Sequence, residues 1–219
     1  MVNVTVTANS DPERALTFSY APFDRRAGLC ALFALDNALG QVLRTTREPI
    51  VGQMRLAWWR EALVRLDSAS APAEPVLLAL ANDVMPFGVT GAALAKMIDG
   101  WEPLLSLIGD VAIVGHAEQR GGTLFAQAGL VLGADAGDRL DDAGRGWALA
   151  DLAAHLSDAA LASHVREAAT PLLSSATSAR WSRNARTLGA LAHTARMDLT
   201  GSATPWRVGR LAWHRLTGR

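Results

Sequence analysis

The chain has 219 residues, of which 50% are hydrophobic and 19% are charged, a composition that excludes an intrinsically disordered protein. Its 21 basic and 21 acidic residues give a formal net charge of zero, so the chain lacks the broad positive field on which nucleic-acid binding depends. Cys30 is the only cysteine, which excludes an internal disulfide and suits a reducing compartment.

The N-terminal segment differs in character from the rest of the chain. Residues 1–11 alternate Val and Thr without the basic start or the long apolar stretch of a signal peptide. No apolar run reaches the roughly 18 residues that a membrane-spanning helix needs. We therefore expect a flexible terminus at residues 1–10, one helical domain at residues 11–219, and a cytoplasmic protein.

Helical periodicity dominates the domain. Between Arg25 and Arg44 apolar residues recur at spacings of three and four, which predicts an amphipathic helix. Thr90 is positioned to cap another helix, which ends near Trp101. The other predicted helices cover residues 51–66, 74–84, 116–132, 141–156, 163–173, 176–200 and 205–216. The sequence shows no convincing strand pattern, so it predicts an all-α bundle with short connections.

Three segments of the sequence resemble squalene/phytoene synthases. Residues 11–35 resemble the opening of these enzymes, where an arginine pair and an Ala-Leu-Tyr-Ala-Phe helix lead to the first aspartate-rich motif; here residues 31–35 are Ala-Leu-Phe-Ala-Leu. Residues 48–63 are similar to a signature of a divergent branch that includes a mitochondrial assembly factor for respiratory complex I. Residues 205–216 resemble the C-terminal helix of bacterial members of that branch.

The resemblance implies an isoprenoid synthase fold, an all-α bundle whose central cavity holds two prenyl diphosphates. Active members of the family use Asp-x-x-x-Asp motifs, whose carboxylates hold the Mg²⁺ ions that bind each diphosphate. The spacing suits this role because it places two carboxylates one turn apart on the same helix face, and Mg²⁺ prefers oxygen ligands in octahedral geometry. Family members are often longer than this chain, so we expect a reduced cavity.

Both aspartate-rich motifs are degenerate in this chain. Counting on from residues 31–35, the first motif falls on Gly40, Gln41 and Arg44. The second motif falls on Asp151, Ala154 and His155, with Asp158 near its end. A shift of one turn brings Asp36 towards the first motif but still leaves a single carboxylate there. The sequence therefore predicts that neither Mg²⁺ site is complete and assigns no catalytic residue.

Three interpretations of the function stay open. The leading hypothesis is a non-catalytic protein that binds a prenyl lipid or prenyl diphosphate without a cofactor, or that assists the assembly of a respiratory complex. The alternative is an active prenyl diphosphate transferase with a rearranged Mg²⁺ site around Asp151, His155 and Asp158. The third is a structural helical protein whose cavity is filled by side chains. The candidate ligand-binding residues are Arg25, Arg26, Arg44, Arg55 and Trp59.

The C-terminal segment 205–216 has two contrasting halves on a helical wheel. One half carries Trp206, Trp213 and Leu216, and the other carries three arginines and His214. We expect this helix to dock on the bundle with its arginines exposed. The alternative is contact with a membrane surface or a respiratory complex, which would make the protein peripheral to the inner membrane.

Overall fold

The structure is a computed structural model that describes residues 12–106, 108–201 and 204–219, so the expected flexible terminus at residues 1–10 lies outside the described residues. The described part of the chain is a helical bundle without a strand, which confirms the all-α prediction. The helices are α1 (Pro12–Phe18), α2 (Arg26–Thr45), α3 (Pro49–Arg65), α4 (Pro75–Asp83), α5 (Gly91–Trp101), α6 (Asp110–Gly115), α7 (Thr123–Leu132), α8 (Leu140–His155), α9 (Ala159–Ser178), α10 (Arg186–Thr200) and α11 (Thr204–Thr217).

Local signals fix most helix ends as the sequence predicts. The Oγ1 atom of Thr90 accepts a hydrogen bond of 3.1 Å from the backbone N–H of Ala93, which caps α5 at its N-terminus. Pro49 is the first residue of α3, where a missing backbone N–H costs nothing. The helix predicted at residues 116–132 begins earlier, at Asp110, and passes through a π-helical segment, His116–Gly122, before it continues as α7.

The helix predicted at residues 176–200 is wrong in its first part, because α9 ends at Ser178 and α10 begins only at Arg186. Trp181 interrupts the helix: it is buried, and its backbone N–H donates to the carbonyl oxygen of Gly218 over 2.7 Å. The next backbone N–H, from Ser182, donates to Asp138 over 2.8 Å. These tertiary hydrogen bonds replace the helical ones.

Helix α8 lies at the centre of the bundle and packs against α9, α10 and the π-helical segment. Where the π-helical segment crosses α8, the carbonyl oxygen of Gly121 occupies the space that a Cβ on Gly144 would need, and the reverse also holds. A side chain at either position would separate the two helices. This close crossing holds Arg120, the residue before Gly121, against the inner faces of α2 and α8.

Within residues 12–106, 108–201 and 204–219, no helix is both long enough and apolar enough to cross a membrane.

Candidate functional site

The centre of the bundle contains a buried ion cluster built around Arg120. Its Nε atom donates to Asp36 Oδ1 over 2.7 Å, and its Nη2 atom donates to Asp36 Oδ2 over 2.8 Å. Its Nη1 atom donates to Asp151 Oδ2 over 2.7 Å. The Arg120 side chain is 4% exposed, and that of Asp36 is 2% exposed. One guanidinium therefore joins α2, the π-helical segment and α8 in the interior.

Aromatic rings surround the guanidinium of Arg120. Its Cζ atom lies 4.2 Å from the ring centroid of Trp101 and 4.7 Å from that of Trp147. Arginine packs well against such rings because the guanidinium is planar and its charge is attracted to the ring face. The guanidinium of Arg120 is therefore shielded from water by apolar surface, whereas the Asp151 side chain is 32% exposed.

His116 completes the hydrogen bonding of Arg120. Its Nδ1 atom lies 2.8 Å from the carbonyl oxygen of Gly100 and must donate to it, so Nε2 accepts from Arg120 Nη1 over 3.1 Å. Burial lowers the pKa of His116 to about 3, and the charge of Arg120 acts in the same direction. The imidazole is therefore neutral at physiological pH.

Opposite charges hold the cluster in its ionised state. Burial alone would lower the pKa of Arg120, but the charges of Asp36 and Asp151 outweigh burial and raise it above its ordinary value. Burial alone would raise the pKa of Asp151, but the charge and hydrogen bond of Arg120 hold it below its ordinary value. The Arg120 guanidinium thus acts as a fixed cation between two carboxylates.

A cavity of about 210 Å³ adjoins this cluster. Its apolar walls are formed by Leu43, Trp101, Leu104, Ile108, Leu152 and Leu156. Its polar walls are formed by Arg44, His116, Arg120, Asp151 and His155. The expectation of a reduced cavity agrees with this volume, which lies below the usual range of about 300–1,000 Å³ for small-molecule sites. We call it the central pocket.

Four of the degenerate motif positions meet in the central pocket. They are Gly40, Arg44, Asp151 and His155. Gln41 is exposed on α2, and Asp158 caps α9, where its Oδ1 atom accepts from the backbone N–H of Ala160 over 2.9 Å. The second-motif histidine, His155, lies 2.7 Å from the backbone oxygen of Asp151 through its Nδ1 atom. The two motif positions therefore face one pocket, but without paired carboxylates.

The residues at these positions do not fit Mg²⁺. A Cβ atom on Gly40 would lie 3.1 Å from Arg44 Nη1 and 3.1 Å from Trp101 Cη2, so a carboxylate there would have to displace neighbours. Asp151, the remaining motif carboxylate, is bound to Arg120. Among the described residues no group of three or more His, Cys, Asp or Glu side chains converges to hold a metal ion.

The other predicted ligand-binding residues lie outside the central pocket. Arg25 donates to the carbonyl oxygen of Val131 over 3.0 Å, and Arg26 donates to backbone oxygens of the loop before α2. Arg55 is exposed and donates to two threonine hydroxyls at the end of α2, while Trp59 is buried among helices. Of the predicted set, Arg44 alone lines the pocket.

Sequence reasoning missed the role of Arg120 and its partner Asp36. A signal for both was present, since Asp36 interrupts the apolar stripe of α2 and Arg120 lies in a segment rich in small and apolar residues. A charge on a helix face that is otherwise buried needs a partner of opposite sign. The sequence does not say which of the distant charges that partner is.

A second cavity, of about 300 Å³, lies on the other side of Asp151. Its walls include Glu13 and Arg14 of α1, Asp198 of α10 and Arg207 of α11. The guanidinium of Arg207 pairs with Glu13 and, over 2.7 Å, with Asp198. Asp151 therefore lies between two cavities, and in the second cavity Arg207 is already paired with two carboxylates.

Known proteins resemble this chain in part of its sequence and in its fold. A family model described as squalene/phytoene synthase matches residues 7–106, which include α2 and its motif positions. A solved structure described as a dehydrosqualene synthase in complex with ligand has the same fold, with a TM-score of 0.72 and 13% sequence identity; the match covers 93% of this chain and 90% of that chain. No curated protein sequence gives a significant match. Residues 7–106 are therefore similar to the squalene/phytoene synthase family, and the chain shares the all-α fold of the dehydrosqualene synthase.

Proposed function

We propose that this chain is a non-catalytic squalene/phytoene synthase-like protein that binds a prenyl lipid without Mg²⁺. The observation that carries the proposal is the position of Arg120, whose guanidinium pairs with both Asp36 and Asp151. A protein cation already neutralises the carboxylates that a metal ion would need. Metal ions contribute several kcal/mol of charge stabilisation in such chemistry, so a chain built in this way lacks the main means of releasing diphosphate.

The walls of the central pocket are suited to an amphipathic ligand, because they have an apolar part and a charged part. Leucine and isoleucine side chains line one part of the pocket and suit a short segment of a prenyl chain. Arg44 lies beside this apolar part, and it forms no ion pair with any described carboxylate. Its guanidinium is therefore available for the phosphate or diphosphate at the head of the ligand.

Calorimetric titration with farnesyl diphosphate and with farnesol tests this function. We expect farnesyl diphosphate to bind with the same affinity in Mg²⁺ and in a chelator, and no diphosphate to be released. Arg44→Gln should weaken the binding of farnesyl diphosphate by about tenfold or more, because a charge-assisted hydrogen bond contributes roughly 1.5–3 kcal/mol. The binding of farnesol, which carries no charge, should change little.

Arg55→Gln is the matched control, since Arg55 is an exposed arginine outside the pocket. Mg²⁺-dependent release of diphosphate would establish the alternative, an active transferase with a rearranged site around Asp151, His155 and Asp158. If neither compound bound, the fold would act as a structural scaffold. Assistance in respiratory-complex assembly rests on the resemblance of residues 48–63 and stays a prediction.

A further inference from the structure

Helix α11 docks on the bundle in the orientation opposite to the expected one. Leu211 and His214 are buried, and Arg207 and Arg210 are half-buried against the bundle. Arg207 is drawn inward by its ion pairs with α1 and α10, and His214 Nε2 donates to the carbonyl oxygen of Arg186 over 2.9 Å. Arg207 and Arg210 therefore face the protein, which corrects the expectation of exposed arginines for these two residues, whereas Arg215 is exposed as expected.

This orientation turns the apolar half of α11 towards solvent. Trp206 is 70% exposed, Trp213 is 56% exposed and Leu216 is 75% exposed. Val208 is exposed on the same helix. Two exposed tryptophans and a leucine on one helix form an apolar patch of the kind that marks an interaction surface. We call it the outer face of α11.

The surroundings of the outer face are basic. No Asp or Glu occurs between Leu199 and Arg219, whereas four arginines do. Among the described residues, Arg210, Arg215 and Arg219 form no ion pair with a carboxylate. A second copy of the chain docked on this face would bring these unpaired positive charges together, which opposes self-association. The charge pattern favours an anionic partner.

A cavity of about 320 Å³ lies between α10 and α11, and two arginines line it. It is lined by His193, Arg196, Met197, Thr200, Trp206 and Arg210. Arg196 donates to Thr177 Oγ1 over 2.7 Å, and Arg210 lies 3.4 Å from His193 Nε2. Within the described part of the chain, neither arginine forms an ion pair with a carboxylate. The indole of Trp206 links this cavity to the outer face. We call it the basic pocket.

The basic pocket holds positive charge that the protein does not balance. Burial lowers the pKa of Arg210, and the nearby charge of Arg196 lowers it further. Burial lowers the pKa of His193 to about 3, so this imidazole stays neutral and adds no charge of its own. An anion between the two guanidinium groups would relieve their repulsion, and phosphate has the oxygen geometry that arginine binds well.

We propose that the outer face of α11 docks on the interfacial region of an anionic phospholipid bilayer, and that the basic pocket receives a lipid phosphate. Tryptophan favours the bilayer interface because its ring is apolar and its N–H is polar. Arginines around an apolar helix face add electrostatic attraction to anionic lipids. This surface lies apart from the central pocket, so the inference does not depend on the proposed function.

Co-sedimentation of the full chain with lipid vesicles tests the proposal. The chain should bind vesicles that contain phosphatidylglycerol, bind pure phosphatidylcholine vesicles weakly, and dissociate as salt is raised. Trp206→Ala combined with Trp213→Ala should lower the affinity by about tenfold, since binding follows buried apolar area. Trp58→Ala is the matched control: Trp58 is 48% exposed on α3, away from α11, and its loss should leave binding unchanged.

A second pair of variants tests the basic pocket. Arg196→Gln with Arg210→Gln should lower the affinity for phosphatidylglycerol vesicles by about tenfold, whereas Arg166→Gln, an exposed arginine on α9, should not. Circular dichroism confirms that each variant is folded.

Absence of vesicle binding, equal loss in the control variants, or a concentration-dependent dimer abolished by the tryptophan variant would each overturn the proposal. Binding of inorganic phosphate without vesicle binding would overturn it as well.

Discussion

Two regions of the bundle bring arginine side chains to contacts between helices, and they differ in burial and in how the positive charge is balanced: Arg120 is buried, Arg210 is half-buried and Arg196 is exposed. Arg120 uses four N–H groups to bind two carboxylates and one imidazole, and two tryptophan rings lie against it. Between α10 and α11, Arg196 and Arg210 share one pocket, and among the described residues their side chains bind a hydroxyl group and an imidazole but no carboxylate. In the first region, carboxylates of the protein balance the positive charge. In the second region, the described residues leave positive charge that an anion could balance.

This difference indicates a structural role for Arg120 and a binding role for Arg196 and Arg210. A buried charge network is stable when every member has partners, and a network that lacks a counter-charge is costly unless a ligand or solvent supplies one. The Arg120 cluster includes Asp151, a position of the degenerate second motif, so this carboxylate already has a protein cation as its partner. The α10–α11 pair retains charge that a phosphate can neutralise. Substitutions in the two regions test this contrast.

Arg120→Met should produce the largest effect, a loss of about 3–5 kcal/mol in the free energy of unfolding, because it leaves Asp36 and Asp151 without their cation. Methionine keeps an unbranched apolar stem at this position. Denaturant titration followed by circular dichroism measures the loss. The control is Arg60→Met: Arg60 also binds two carboxylates, but on the surface, and should lose less than about 1 kcal/mol. Equal losses for the two variants would contradict a structural role for the cluster.

Acidification should destabilise both regions through their buried imidazoles. The pKa of His116 is lowered to about 3, that of His193 to about 3 and that of His214 to about 4, with burial as the main cause. The ordinary value in an unfolded chain is about 6.5. Below that value the unfolded chain binds more protons than the folded one, so stability falls as the pH falls towards about 4. Each histidine should contribute about 2 kcal/mol of loss between about pH 7 and about pH 5.

Unfolding free energies measured at the two pH values check this expectation. His214→Gln should remove about 2 kcal/mol of the difference between them, whatever its effect at neutral pH. His164→Gln is the control, because His164 is exposed and lies beside Asp110 on the surface. A pH dependence that is unchanged by His214→Gln would mean that this imidazole becomes protonated in the folded chain without cost.

Local signals explain which helices could be predicted from the sequence. The boundaries of α2 and α5 follow from apolar periodicity and from a cap at Thr90, both of which act within a few residues. The start of α10 could not be predicted, because Trp181 is fixed by a hydrogen bond to Gly218, which is distant in sequence. A helical pattern continues across this position, and tertiary hydrogen bonds override it.

The candidate site was predictable only in part, because it too depends on contacts between residues that are distant in sequence. Counting from the family resemblance brought Gly40, Arg44, Asp151 and His155 to one pocket. It did not identify Arg120, which is 84 residues from its partner in α2. Nor does a helical wheel show which half of α11 faces inward. Charged residues usually face water, but carboxylates on α1 and α10 bind Arg207 and reverse the orientation.

Arg210→Gln should produce the smallest effect, a change of less than about 0.5 kcal/mol in the free energy of unfolding. The substitution removes a guanidinium that has no carboxylate partner and that lies beside another positive charge, so relief of repulsion offsets the lost contact with His193. Arg207→Gln is the comparison on the same helix. It breaks hydrogen bonds to two carboxylates and should cost roughly 1.5–3 kcal/mol.

The same denaturant titration that measures Arg120→Met measures both variants. Equal losses for Arg210→Gln and Arg207→Gln would mean that the bundle itself balances the charge of Arg210, and the basic pocket would then have no need of an anion. An Arg210→Gln variant that keeps the free energy of unfolding unchanged but binds anionic vesicles less tightly would show that the role of Arg210 is in ligand binding. Arg120 would then mark the opposite case, a buried arginine that stabilises the fold and leaves no charge for a ligand.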